Sequence, residues 1–394
     1  MFSMAVDSTQ DCIAKIANEI RQDPCQDAVN LSLGYYSCEE EQSTGFTVLP
    51  STSPEHRQTP SLAVLGNPRY RTAISRLLDT GILPPHTSVQ TLGATGALSL
   101  ALSILKQYEQ CNSVWISEPS WGNHTEIAHS AGVKSQFYPY KWDAKGTLDL
   151  ESIITALSSM ENNDALIIQG CCHNPTGIDL SIEQLRKLAV LANRKGAKII
   201  IDFAYFGLAE GVDEDRRILN ALASELPHFF VATSFSKSLG LYSERLGALT
   251  YFSHQEVELT SFMVASKRHI RASHSMPPQH IAGLVADVLE SCTLKARWSE
   301  ELAKMRDTIK RRKLALFAAL ESHHLAHLVQ NPTSNGMFVT LALNSNEIKM
   351  MKNRHRIYLL PNGRMSVASL QLQDIPRCIE AIVKVKNDLT GKDS

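Results

Sequence analysis

Between about residue 88 and residue 252, short unbroken apolar runs alternate with segments whose apolar positions recur at helical spacing. The runs are 113–118 (SVWISE), 165–170 (ALIIQG), 197–202 (AKIIID), 229–233 and 247–252. Runs this short and this continuously apolar predict strands buried on both faces. That means a mostly parallel central sheet with helices flanking it on each side. Residues 181–195 predict one of those helices. Ser181 is a good N-cap, and Gln184, three residues on, can complete a capping box. In sheets of this kind, ligands bind beyond the C-terminal ends of the strands.

Beyond about residue 291 the pattern changes. A long helical stretch to about residue 324 is followed by shorter strand patterns at 337–343, 357–360 and 364–367, then a final helix. This predicts a second, smaller α+β domain, which the first 35 or so residues join. The expected division is a large domain of 36–304 and a small domain of 1–35 with 305–394, and the 394-residue length suits it. No repeat is evident. Pro50, Pro54 and Pro60, with intervening Ser and Thr, predict a loop over 50–61.

Charge narrows the classes. Thirty-nine basic against 40 acidic residues give a net charge of −1, which excludes a nucleic-acid binder built on bulk basic charge. No run approaches the roughly 18 apolar residues of a membrane span, and residues 1–10 lack the pattern of a secretory signal. Eight cysteines without a C-x-x-C pair read as reduced thiols of a cytoplasmic protein. Cys171-Cys172 reads as two small residues filling a strand end rather than as a redox pair.

Titratable residues gather after successive strands. Cys-Cys-His173-Asn174-Pro175-Thr176-Gly177 follows the second run, Asp202-Phe203-Ala204-Tyr205 ends the third, and Ser234-Phe235-Ser236-Lys237-Ser238 follows the fourth. A lysine there can form a Schiff base if its pKa is lowered by desolvation or nearby cations. The neighbouring hydroxyls and Arg245 can hold a phosphate. Gly93-Ala94-Thr95-Gly96 opens a helical run and is either a simple helix-start turn or a second phosphate seat. Asp202 closes an Ile-Ile-Ile strand, so its carboxylate needs a partner, either a buried counter-charge or a pyridinium nitrogen. A lysine, a phosphate seat and a buried aspartate together specify pyridoxal phosphate.

The order Asn174-Pro175-Thr176-Gly177, Asp202-x-x-Tyr205, Ser234-x-Ser236-Lys237, Arg245 and Arg364 resembles the class I aminotransferases of the pyridoxal-phosphate fold type I. The strings CCHNPTGIDL, DFAYFGLAEG, SFSKSLGLYSERLGA, EPSWGNH, IRASHSMPP and NGMF are similar to the aspartate and aromatic aminotransferase subgroup. The resemblance implies that fold, amino transfer between an L-amino acid and a 2-oxo acid, and a homodimer with sites shared across the interface. It implies Lys237 as the Schiff-base lysine and proton-moving base, Asp202 as partner of the pyridine nitrogen, and His124 as support behind Asp202. Tyr205 and Asn174 would bond the phenolic oxygen, while Thr95, Ser234, Ser236 and Arg245 hold the phosphate. Trp121 would stack near the ring and line the substrate pocket. Arg364 would grip the substrate α-carboxylate, Arg271 of the neighbouring subunit the distal carboxylate, and Gly34 and Asn174 would also lie at the substrate. Ser275 would contact the phosphate side of the partner site.

The chain departs from this pattern at three residues and in the stretch before Val64, which is shorter than usual and Pro-rich where relatives carry a helix. Val64 stands where the family usually has a tyrosine, Gln169 where relatives often have a histidine, and Met276 replaces a polar residue. These departures leave a specialised amino acid as an alternative substrate. A lyase or decarboxylase on the same fold is the other alternative. No metal is expected: His323-His324-x-x-His327 reads as solvated surface, and Glu39–Glu40–Glu41 as an exposed loop.

Overall fold

The computed structural model describes residues 12–25, 27–32, 34–36, 47–49, 63–143, 146–329 and 334–390. The expectations for 1–10, 39–41 and 50–61 lie outside the described residues. The chain divides into two compact units. One consists of Met1–Thr44, Pro175–Gly177 and Asp307–Ser394, the other of Gly45–Asn174 and Ile178–Arg306.

Elements in chain order begin with α1 (Cys12–Gln22) and β1 (Val29–Asn30) of the smaller unit. The larger unit then runs α2 (Pro68–Leu78), β2 (His86–Leu92), α3 (Gly93–Tyr108), β3 (Ser113–Glu118), α4 (Asn123–Ser130), β4 (Lys134–Pro139), α5 (Leu150–Leu157) and β5 (Ala165–Gln169). It continues through α6 (Ile182–Lys195), β6 (Lys198–Phe203), α7 (Val212–Asp215), α8 (Ile218–Ala223), β7 (His228–Ser234), β8 (Leu246–Ser253), α9 (Glu256–Ser273) and α10 (His280–Glu290). Helix α11 (Cys292–Ser322) leads into β9 (Phe338–Thr340), α12 (Ser345–His355), β10 (Ile357–Tyr358), β11 (Arg364–Ser366) and α13 (Ile375–Thr390).

The larger unit is built on a seven-stranded sheet of order β2-β8-β7-β6-β5-β3-β4. Strand β8 runs antiparallel to both its neighbours, and the other pairings are parallel. The unbroken apolar runs have their physical cause here. Every residue of β5 and β8 is buried, as are all but the first of β6 and β7. Helix α3 buries Ala97, Leu98, Ala101 and Leu105 in one core cluster with Val89, Ile167, Ile200, Phe230 and Leu249 of the sheet. Each such leucine contributes about 1.5–3 kcal/mol when fully buried, which anchors the helix whose first turn enters the site described below. Helix α6 starts as expected, with the capping box between Ser181 and Gln184 formed in both directions.

In the smaller unit β1 pairs in parallel with β10, and β9 pairs antiparallel with β11. Its core joins Leu31, Leu316, Leu320, Val339, Met365 and Val367 with the buried face of α13. The observed strands are shorter than the apolar runs that announced them. Among the described residues no helix is long and apolar enough to cross a membrane.

Candidate active site

Strands β5, β6 and β7 lie side by side and run the same way, in a register that sets Gln169 beside Asp202 and Asp202 beside Ala232. Their C-terminal ends therefore bring Gln169, Asp202 and Ser234 to one edge of the larger unit's sheet. Asp202 is 4% exposed. A carboxylate so buried needs donors, and it has two. Oδ1 accepts the Ala204 N–H at 2.9 Å, and Oδ2 lies 2.9 Å from His124 Nε2. His124 is fully buried in the first turn of α4. Its Nδ1 lies 2.9 Å from Ser120 Oγ, and Trp121 meets its ring edge-on at 5.3 Å.

The anion seat has a construction of its own. Helix α3 starts directly from β2, and its N-cap residue, Leu92, offers no side-chain acceptor, so the first-turn N–H groups of Gly93–Gly96 lack a capping side chain. Thr95 belongs to this turn. Arg245, with a left-handed backbone (φ 53°), donates from Nη1 to Ser236 Oγ at 3.3 Å and from Nη2 to the Leu92 carbonyl at 3.4 Å. Ser234 Oγ donates to Ser236 Oγ at 3.0 Å. Gly93 has φ +69°, and a Cβ built there would lie 2.7 Å from Arg245 Nη2. Guanidinium, hydroxyls and helix N–H groups without a side-chain cap thus line a cradle that a single methyl would fill. That donor set, with a buried acceptor at Asp202, fits a phosphorylated pyridine.

Lys237 lies three residues past the end of β7, and its Nζ lies 4.7 Å from the centre of the Tyr205 ring. Tyr205 and Asn174 are buried. Ser238, the third hydroxyl flanking the lysine, turns away: its Oγ donates to the Ser234 carbonyl at 3.3 Å, and its own carbonyl accepts from Trp298 Nε1 at 2.7 Å.

Three further groups support the site: the sequence placed His173 at a strand end and marked Gln169 as a departure, but gave neither a role, and it did not point to Asp179. His173 stacks on Tyr140 at 4.0 Å and shares a 2.9 Å hydrogen bond between Nε2 and Ser117 Oγ. Burial, and secondly the nearby His124, push His173 down to about 3, so it stays neutral. Asp179 accepts the N–H groups of Cys172 and His173 at 2.9 and 2.8 Å and shapes the loop that presents Asn174. Gln169 holds the Asn174 N–H at 2.8 Å. Cys171 and Cys172 are buried thiols outside any disulfide. Hydrogen bonding with Cys172 and burial push the Cys171 pKa up, which keeps that thiol protonated.

Arg364 and Gly34 belong to the smaller unit. Arg364, on β11, is buried, donates from Nη2 to the Ser32 carbonyl at 2.9 Å, and sets its guanidinium 4.1 Å from the centre of the Phe338 ring. Gly34 also packs on Phe338, and a Cβ there would lie 2.7 Å from Phe338 Cζ. Arg271 ends α9 exposed to solvent, donating to Ser275 Oγ at 2.6 Å. Val64 is buried in the larger unit's core cluster. His323, His324 and His327 are exposed, and no group of three or more His, Cys, Asp or Glu among the described residues could hold a metal ion.

Fold and site define an α/β protein with a lysine, a buried histidine–carboxylate pair and an anion cradle at the C-terminal ends of parallel strands. The chain belongs to the aminotransferase class I and II family, whose sequence profile matches residues 26–382. It is 32% identical over 399 residues to an aspartate aminotransferase of Escherichia coli (strain K12), covering 98% of this chain and 100% of that one. It is also 32% identical over 392 residues to an aromatic-amino-acid aminotransferase of Pseudomonas aeruginosa, covering 96% of this chain and 97% of the other. Among solved structures, an aromatic amino acid aminotransferase from Burkholderia cenocepacia J2315 superposes with a TM-score of 0.88 at 29% identity, covering 98% of this chain and 99% of that one. An aromatic-amino-acid aminotransferase from Burkholderia pseudomallei, covalently bound to pyridoxal phosphate, gives 0.86 at 29% identity, with the same coverage of 98% and 99%.

Proposed function

We propose that this chain is a pyridoxal-phosphate aminotransferase that passes an amino group from an L-amino acid to a 2-oxo acid in two half-reactions. Aspartate, glutamate or an aromatic amino acid is the donor in this reading, and 2-oxoglutarate the acceptor. The observation that carries it is one strand-end cluster: Lys237 over Tyr205, the buried Asp202–His124 pair, and the cradle of Gly93, Ser234, Ser236 and Arg245.

Arg245, Ser234, Ser236 and the Thr95 turn would hold the cofactor phosphate. Asp202 would meet the ring nitrogen, Tyr205 and Asn174 the phenolic oxygen, and Trp121 the ring face. Bound there, the cofactor supplies an electron sink for the pair released when the substrate Cα–H bond breaks. Lys237 would hold the cofactor covalently at rest. Freed by substrate, its Nζ is the base that takes the Cα proton. The His124–Asp202 hydrogen bond orients the carboxylate so that its charge is in place before the proton moves. Arg364 is assigned the substrate α-carboxylate, for which a planar fork suits a bidentate pair. Its seat on Phe338 and its bond to Ser32 support that role by fixing the plane of the guanidinium. Gly34 belongs to the same substrate side.

A cytoplasmic homodimer is part of this reading. In it Arg271 serves the partner's site and reads a distal carboxylate, and Ser275 lies beside that site. The exposed position of Arg271 at the end of α9 supports it. The test is to load the purified protein with pyridoxal phosphate, supply L-aspartate or L-glutamate, and follow both the cofactor absorption band and the products. A stoichiometric 2-oxo acid, with nitrogen recovered in glutamate once 2-oxoglutarate is added, is the expected result. Release of ammonia or an amine instead refutes amino transfer.

A further inference from the structure

We infer that Gln169 is a positioning residue that turns the Ser120 hydroxyl toward His124 Nδ1, and so backs from behind the arrangement in which the His124 ring proton lies on Nε2 against Asp202. The Asn174 N–H can only donate, and it meets Gln169 Oε1 at 2.8 Å. That fixes the sense of the amide, because the flipped group would set an NH2 against an N–H. Nε2 of Gln169 must then supply both remaining bonds, to the Asn174 carbonyl at 3.1 Å and to Ser120 Oγ at 3.3 Å. An NH2 that can only donate cannot take the Ser120 hydroxyl proton, which leaves His124 Nδ1, 2.9 Å away, to accept it. The proton left on the imidazole is on Nε2, 2.9 Å from Asp202 Oδ2, where an ionised carboxylate can only accept. From Gln169 Nε2 through Ser120 and His124 to Asp202 the donors then point one way, and each bond polarises the next. A backbone amide beside Pro175 is coupled to the carboxylate in β6. A histidine at position 169 could present either of two tautomers to Ser120, whereas a glutamine held at both ends of its amide presents one. The benefit to the cofactor's ring nitrogen rests on the function proposed above. The tautomer itself does not.

The test labels histidine nitrogens with 15N and reads long-range 1H–15N correlations in the cofactor-free protein, with His124→Asn identifying the His124 signals. The wild-type His124 is expected to show a protonated Nε2 and a bare Nδ1. Gln169→Glu puts an acceptor before Ser120 and draws the hydroxyl proton away, so the His124 Nδ1 resonance moves toward that of an imine nitrogen without a donor, while Nε2–H stays on Asp202. In the loaded enzyme the same variant loses kcat on the order of 10-fold with little change in KM. Should Gln169→Glu fail to fold, Ser120→Ala cuts the chain while leaving the Gln169–Asn174 clamp in place, and the His124 Nδ1 resonance is expected to move in the same direction as it loses its hydroxyl donor. A wild-type Nδ1–H signal, or a His124 pattern unmoved by the folded variant, overturns the inference. Failure of the proposed function shows separately, as no covalent cofactor on Lys237.

Discussion

Replacing Gly93 with alanine probes the anion cradle. Two costs follow, and they fall on different observables. At φ +69° a non-glycine residue pays roughly 1–2 kcal/mol of backbone strain, which lowers folding stability. The new Cβ would also lie 2.7 Å from Arg245 Nη2, where ordinary contact begins at 3.4 Å. The guanidinium is the far end of a flexible side chain, so it retreats cheaply, by about 0.7 Å. Retreat adds little to the loss of stability but takes the arginine out of line with the phosphate. A hydrogen bond to a charged group contributes about 1.5–3 kcal/mol. Losing it weakens cofactor binding by roughly 10- to 150-fold. The assay is a titration of cofactor-free protein with pyridoxal phosphate, followed by absorption, beside a thermal melt. Gly247→Ala is the contrasting variant. Its Cβ would meet the Thr233 carbonyl oxygen at 2.5 Å and the Gly93 carbonyl carbon at 2.6 Å. Both are backbone atoms that cannot retreat, so the fold itself suffers. If Gly93→Ala melts earlier yet binds pyridoxal phosphate with the wild-type dissociation constant, the cradle does not hold the phosphate.

Lys237→Ala should abolish both the absorption band of covalently held cofactor and turnover; persistence of either sinks the lysine's assignment. Arg271→Ala should raise KM for dicarboxylic substrates by roughly 30-fold or more, the 2 kcal/mol or so of an unpaired carboxylate, and leave aromatic substrates nearly unchanged; equal effects on both would mean that Arg271 does not read the side chain. His173 gives a pH prediction. Its folded value of about 3 lies below the ordinary 6.5, so between those values the unfolded chain binds a proton that the folded chain refuses. Its contribution is fully present above about pH 7 and is lost as pH falls, by about 2 kcal/mol between pH 7 and pH 5. Urea midpoints at the two pH values should separate further for the wild type than for His173→Gln, and parallel losses would refute the assignment.

The parts of the fold legible in the sequence are those where burial on both faces forbids polar residues. β5, β6 and β7 read directly as apolar runs, and the lysine, aspartate and serines at their ends stand out because the runs stop there. Strand β2, HTSVQTL, carries no such run. Its polar groups are satisfied by distant partners: Ser88 Oγ meets Thr250 Oγ1 at 2.8 Å, and Gln90 takes the Asn67 N–H at 2.9 Å while donating to the Pro278 carbonyl at 2.6 Å. A strand whose side chains are paid for by tertiary hydrogen bonds has no hydrophobic period to announce it. The antiparallel course of β8 was hidden for a related reason, since burial dictates composition and says nothing of direction. The smaller unit's strands came out shorter than their apolar runs because only three residue pairs of β9 and β11 enter the ladder.

The same distinction sorts the site residues. Lys237, Asp202 and Arg245 are unusual for where they stand in the chain, so each could be singled out alone. Ser120, Asp179 and the partners of Gln169 are ordinary polar residues in loops, and their importance lies in what the fold sets against them. Asp202 shows both halves of this. That it needed a buried partner followed from three isoleucines before it. That the partner is a histidine 78 positions earlier came from the family resemblance and not from any local pattern, and its orientation by Ser120 and Gln169 required the closed sheet. Position 169 is where the two kinds of evidence meet. The glutamine could be noticed as a departure, but only the Asn174 N–H at its oxygen determines which way its protons point.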